Sequence, residues 1–401
     1  MKTDVVALPL VSARFLIPFV GLMLGLNAFA NDILLPAFYD IAAELDTSIE
    51  RVQTLVPIFL IAAGCGQLVC GPMSDRFGRR PLLAVGLGLF LCGTLLCAAS
   101  ATILTLQAGR MVQGFGSACL VVIGRAALRD TQSGAELARA MALTGAFFAL
   151  GPIIAPMSGV MLMALGGWRA VFGAIIAVIG ALSLAAFMGF RETHPQPDPQ
   201  ALQPARVRSA FARIVANRQS RSFLATAAIM QFGIVSIISN SPRLFKSQFD
   251  IDGATYALMF ACSASGIIVG QAINHRLIGF YGVLHATRVA AAVLAAVAAT
   301  ITYATAMRWQ SAPLFLAQLT VFNMGFLVVM SNAASLVLEP HREIAGLTAS
   351  VFGFLTQLTG GLLALATYRL FGGMMLPWSI GLLFTTLAVY GMVSAYQARS
   401  P

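Results

Sequence analysis

The chain has 401 residues, of which 58% are hydrophobic and 10% charged, and its mean hydropathy is +0.84. That is too apolar for a water-soluble domain, so most of its surface must face lipid. The net charge of +10 does not mark a nucleic-acid binder, because the basic residues are spread over many short loops and form no single face.

A hydrocarbon core about 30 Å thick needs about 20 helical residues per crossing. Apolar runs of that length predict twelve membrane helices, at 12–37, 51–72, 82–100, 104–124, 140–163, 170–190, 222–246, 254–275, 285–306, 312–337, 344–370 and 376–396. The first run has no small-residue cleavage site and contains Asp32, so it reads as a retained helix and not a signal peptide. With the amino terminus inside, 18 of the 25 Lys and Arg fall at cytoplasmic ends and loops, from Lys2 and Arg14 through Arg125, Arg129 and Arg342 to Arg399. Six lie outside (Arg51, Arg169, Arg243, Lys246, Arg308, Arg369) and Arg110 is left within the membrane. This asymmetry fits the positive-inside rule and predicts a multi-pass protein with both termini cytoplasmic.

Asp32 is the one acidic residue predicted inside a span. An ionised carboxylate there costs on the order of 2.5–3.5 kcal/mol on insertion scales. Burial disfavours its charged form and a nearby cation favours it, which suits a group that loads and releases a proton. The bland alternative is an anchor reaching interfacial water. The stretch two turns earlier, Gly21-Leu-Met-Leu-Gly-Leu26, offers no second carboxylate, and a single acid is a poor match for a dication.

The next element of interest is the turn Gly71-Pro-Met-Ser-Asp-Arg-Phe-Gly-Arg-Arg-Pro81. Its arginines Arg76, Arg79 and Arg80 cannot sit in hydrocarbon and fix the loop on the cytoplasmic side. Gly78 is placed to make the turn, and Asp75 faces a helix end in the family motif that this turn resembles. On the fourth span Arg110 stays protonated under any plausible burial, so it is a candidate partner for Asp32, with Gln113 one turn deeper. On the fifth, Gly145, Gly151, Pro152, Pro156 and Gly159 form a small face on a helix that proline bends. The six cysteines lie in apolar spans without metal-like spacing and read as packing residues. No metal or cofactor is expected.

The stretch 191–221 holds Pro195, Pro197, Pro199 and Pro204 followed by five arginines. It predicts an exposed linker that buries no core, dividing the chain into six-helix bundles at 1–190 and 222–401. Parallel repeats of this kind contain inverted three-helix repeats. The segment Gly270 to Gly282 stands after the eighth span as Gly71 to Pro81 stands after the second, with most of its charge gone. In the second half the polar groups within spans are neutral: Gln231, Asn240, Gln271, Asn323, Asn332 and Gln357. Gln231 and Asn240 are the preferred substrate contacts, with helix-to-helix hydrogen bonding as the alternative.

Several of these segments carry a family resemblance. Gly71 to Arg80 resembles the loop signature of the major facilitator superfamily, and Gly109-Arg-Met-Val-Gln-Gly-Phe-Gly116 is similar to its arginine motif. Leu150-Gly-Pro-Ile-Ile-Ala-Pro156 resembles the glycine-proline motif of its proton-coupled exporters. Asn31-Asp-Ile-Leu-Leu-Pro36, Gly124-Arg-Ala-Ala-Leu-Arg-Asp130, Gly167-Trp-Arg-Ala-Val-Phe172, Asn240-Ser-Pro242 and Leu338 to Gly346 look like the Bcr/CflA branch of drug:proton antiporters.

The resemblance implies an all-α fold of twelve transmembrane helices in two pseudo-symmetric bundles. It implies proton-coupled efflux of small amphiphilic compounds across a bacterial inner membrane by a monomer that works by alternating access. Asp32 and Arg110 would serve coupling. Asn31, Asp32, Gln113, Gln231 and Asn240 would contact substrate. Gly71, Asp75, Arg76, Gly78, Arg79, Arg80, Gly151, Pro152 and Pro156 would serve the conformational switch. The partners would be substrate, protons and lipid. No nucleophile elbow, phosphate-binding loop or ATP-binding segment points to an enzyme. The rivals are export of a native metabolite, a uniporter, and a membrane sensor that kept the fold without transport.

Overall fold

A computed structural model describes residues 13–194, 196, 198–371 and 373–398. Lys2, Pro195, Pro197 and Arg399 lie outside the described residues, as do the side chains of Arg342 and Arg369. The described chain is all helix and turn: α1 Ala13–Asp32, α2 Phe38–Glu44, α3 Ile49–Gln53, α4 Leu55–Phe77, α5 Arg79–Ala98, α6 Ile103–Thr131 and α7 Gly134–Gly189. After these come α8 Pro204–Ala216, α9 Arg218–Phe249, α10 Gly253–Ala264, α11 Gly266–Ala306, α12 Ala312–Leu338, α13 Ala345–Phe371 and α14 Met375–Gln397. Ten helical segments among the described residues are long and apolar enough to cross a bilayer.

Two of those segments, Arg139–Gly189 and Gly253–Ala306, are 51 and 54 residues long. Neither is continuous: the backbone leaves helical geometry at Gly166 and Gly167 in the first and at Gly282 in the second. Gly282 (φ 79°, ψ 167°) adopts nearly the same conformation as Gly78 (φ 93°, ψ 161°), in a region open chiefly to glycine. The weak sequence echo between these two turns is therefore also an echo of backbone geometry.

Small residues bring the helices close. A Cβ on Gly93 or Gly116 would stand 2.3 Å from the backbone nitrogen of Gln113 or Phe90, so α5 and α6 pack backbone to backbone. Gly151 and Gly159 seat α7 against Ala28, Phe29 and Ile33 of the α1 region, whereas Gly145 faces open space. Cys70 and Cys119, both buried, meet across α4 and α6.

The linker departs from expectation. Within 191–221, α8 buries Ala210 and Ile214, and Ile214 joins a cluster with Phe223, Val337 and Val351. Composition averaged over its arginines hid this amphipathic face, beside which Arg206 and Arg213 reach Asp198 and Glu343. Ahead of α8, the Asp198 N–H donates to the Asp75 carbonyl and Arg76 donates to the Pro199 carbonyl, so the segment is strapped across the end of α4.

Candidate functional site

A central cavity of about 1440 Å³, open solvent at its mouth included, lies between the helices before residue 190 and those after 218. Asn27, Asn31 and Asp32 enter it from α1, Gln67 from α4, Arg125 from α6 and Pro152 from α7. Gln231, Asn323 and Gln357 face them from α9, α12 and α13, among apolar residues that include Phe148, Phe260, Phe326 and Phe352. Asp32 is only 3% exposed. Among the described residues, no hydrogen bond or ion pair ends on its carboxylate.

Arg110 is fully buried and held by neutral groups. Its guanidinium donates to the Ala30 carbonyl (3.1 Å), to Gln113 Oε1 (2.6 Å), to the Leu55 carbonyl (3.4 Å) and to Asn31 Oδ1. It also lies over the Phe59 ring, 4.3 Å from the centroid. The expected direct pairing with Asp32 is thus replaced by bonds to the neighbouring Asn31 and to backbone, and Asp32 remains an electrostatic neighbour only. Gln113 passes its amide on to Thr94 Oγ1 at 2.9 Å. Gln113 is therefore tied into the Arg110 network and stands away from the cavity wall.

Asn240 is not on that wall either. Its amide donates to the Ser236 carbonyl and its oxygen accepts from Gln53, which also donates to the Ser239 carbonyl. One turn away, Arg243 pairs with Glu50 at 2.8 Å. Together these contacts join α3 to α9 on the face opposite the Arg76 to Arg80 loop. Of the five proposed substrate contacts, the cavity brings together Asn31, Asp32 and Gln231. Asn27, Gln67 and Arg125 went unrecognised because helical position relative to a cavity cannot be read from polarity alone.

At the other end, Arg79 is 5% exposed and binds Asp75 Oδ1 (2.6 Å), Ser74 Oγ (2.6 Å) and Asp130 Oδ2 (2.9 Å). The Glu192 carboxylate accepts from the backbone N–H groups of Arg79 and Arg80, capping the start of α5. Asp75 shares a cleft of about 800 Å³, open solvent at its mouth included, with Gly71, Arg129, Glu343 and the first turn of α13. Among the described residues its carboxylate bonds to Arg79 and not to that helix end, which is the contact expected of it. Trp168 and Arg169, from the segment after Gly167, clamp Glu44 at the end of α2.

These features define a membrane transporter of small solutes, and the sequence agrees: residues 20–365 match the Major Facilitator Superfamily, to which the chain belongs. It is a transporter and not an enzyme. It is 28% identical over 353 residues to the uncharacterized MFS-type transporter YdgK of Bacillus subtilis, covering 86% of each chain. It is 25% identical to multidrug resistance protein D of Escherichia coli, over 92% of this chain and 91% of that one. The bicyclomycin resistance protein homolog of Haemophilus influenzae is 25% identical over 86% of each. The fold matches the crystal structure of the human organic anion transporter MFSD10 with a TM-score of 0.68 at 18% identity, covering 94% of this chain and 99% of that one.

Proposed function

We propose that the protein is a drug:proton antiporter of the Bcr/CflA type, exporting small amphiphilic compounds. The observation that carries this reading is Asp32, a buried carboxylate without a bonded partner among the described residues, at the wall of a mostly apolar cavity. A group so placed can exchange a proton without breaking an ion pair. Moving one proton inward yields about 1.4 kcal/mol per pH unit and about 2.3 kcal/mol per 100 mV, enough to drive accumulation against a gradient. The names of the resistance-associated relatives support the choice of substrate.

The mechanism is alternating access. A straight 51-residue helix would extend about 76 Å, far beyond a core of about 30 Å, so the breaks at Gly166 to Gly167 and at Gly282 turn the chain back and raise ten segments to twelve crossings. Two bundles, 1–190 and 222–401, rock about the cavity, with both termini and the Arg76 to Arg80 loop cytoplasmic. The Glu50–Arg243 closure is then external, and the cavity is reached from inside. Substrate entry accompanies proton loss from Asp32, and outward opening lets Asp32 reload. The protein works as a monomer in a bacterial inner membrane.

Uptake of a radiolabelled phenicol and a panel of other antibiotics into inverted vesicles, with and without a pH gradient, tests this. Gradient-dependent uptake that disappears in Asp32→Asn is expected. Uptake indifferent to the gradient makes the protein a uniporter, gradient-driven uptake surviving in Asp32→Asn removes Asp32 from coupling, and no uptake favours export of a native metabolite.

A further inference from the structure

Arg125 reads in the sequence as one more topology-fixing charge, yet α6 continues past it for six residues to Thr131. It stands five residues before Asp130, which pairs with Arg79, and so about 7.5 Å further into the membrane along the helix. Its side chain is exposed, and the surface it is exposed to is that of the central cavity. Among the described residues it makes no hydrogen bond, ion pair or ring contact, in contrast to Arg110 and Arg79, whose donors are taken up by several acceptors each.

Among the described residues Asp32 is the only acid on the cavity wall, and it is not within reach. The adjoining Gly124 packs on Val20 and Met23, and nine residues of α1 separate Met23 from Asp32, about 13 Å along the helix. A guanidinium drawn inward from the helix end is costly to leave unpaired, and among the described residues no carboxylate lies beside it. The surroundings are apolar or neutral, with Val121, Phe148, Pro152, Met330 and Phe352 on the same wall.

We infer that Arg125 is the anchor for an anionic group on the transported compound, so that the substrate class is amphiphiles carrying a carboxylate or a similar oxyanion, with the apolar body laid against the phenylalanines. A planar guanidinium with five donors matches an oxyanion bidentately. Asp32, at the other end of the cavity, is left free for its proton. This inference rests on the cavity being the transport site proposed above, but it concerns binding, which needs no gradient and no coupling.

The test is equilibrium binding to the purified full chain in nanodiscs of phosphatidylcholine, without a gradient, using the matched pair 1-naphthaleneacetate and 1-naphthaleneacetamide. Wild type should bind the carboxylate about tenfold to a hundredfold more tightly than the amide, the worth of a hydrogen bond to a charged group. Arg125→Gln should lose that preference while binding the amide as wild type does, which also shows that it is folded, and Arg125→Lys should retain part of it. Equal affinity for the pair, binding of neither, or a preference that survives in Arg125→Gln would overturn the inference. So would loss of carboxylate binding in phosphatidylglycerol nanodiscs, which would assign Arg125 to a lipid headgroup. None of these results bears on whether transport uses protons, which the vesicle assay decides separately.

Discussion

In the proposed antiporter, Arg110 and Asp32 divide two tasks that a single ion pair would merge. The arginine's donors go to Asn31, Gln113 and two carbonyls, so its charge is spread over dipoles whether or not Asp32 is ionised. Replacing it leaves buried acceptors bare, at about 1–3 kcal/mol each. Arg110→Leu should therefore lower the thermal unfolding midpoint as well as transport, whereas Asp32→Asn should abolish coupled transport with little change in that midpoint. A midpoint unchanged in Arg110→Leu would contradict the bonding described. Both residues were legible in the sequence because a charge inside an apolar run is conspicuous. Arg125 was not, since the run's polar end resembles a helix terminus and the sequence does not show that α6 continues through it.

The helices are positioned by glycine contacts and by a few caps, and these give contrasting substitutions. Gly116→Ala would drive a methyl into the Phe90 backbone and should cost about 1–3 kcal/mol, while Gly145→Ala meets open space and should be neutral. Thermal unfolding in detergent separates the two, and equal effects would argue against the α5–α6 approach. Glu192→Ala removes the carboxylate that caps α5 and should cost about 0.5–2 kcal/mol in the same measurement. The spans themselves were readable from apolar run length, and the turn at Gly78 from its residue types. Missed were α8, whose arginines outweigh its apolar face in any average, and Glu192, since a cap supplied from 112 residues away leaves no local pattern. In the strap before α8, the Asp198 carboxyl is held below its usual range by the Gln200 N–H and then by Arg206. A depressed value means that the tie is present at neutral pH and fails only as pH falls through the acid range. Proteolysis of the linker should therefore be flat around neutrality.

At the scale of the whole molecule, several seams join the early and late helices, α7 with α10 among them, and two of the others contrast. The α4–α13 seam is close-packed along its length: Gly64 lies on Gln357 and Leu358, Gly71 on Ser350 and Gly361 on Ile61. The seam opposite the basic loop is thinner and includes the polar pairs Glu50–Arg243 and Gln53–Asn240, beside contacts of Leu35–Ala37 with α9 and α10. The first seam suits a pivot and the second a latch. Glu50→Gln should release the latch by up to about 1 kcal/mol, seen as faster labelling of a cysteine at Gln53 by a thiol reagent added from that face, and unchanged labelling would refute the assignment. Composition gave no sign of which face is closed, because that balance turns on a few contacts among many. The Glu50 and Arg243 side chains are 31% and 19% exposed, so mobile ions reach them, and screening acts over about 8–10 Å at ordinary ionic strength. If this face is external, as proposed above, the resting state should drift towards release as the bathing medium grows saltier, making the transporter's posture a function of the brine or fresh water its cell inhabits.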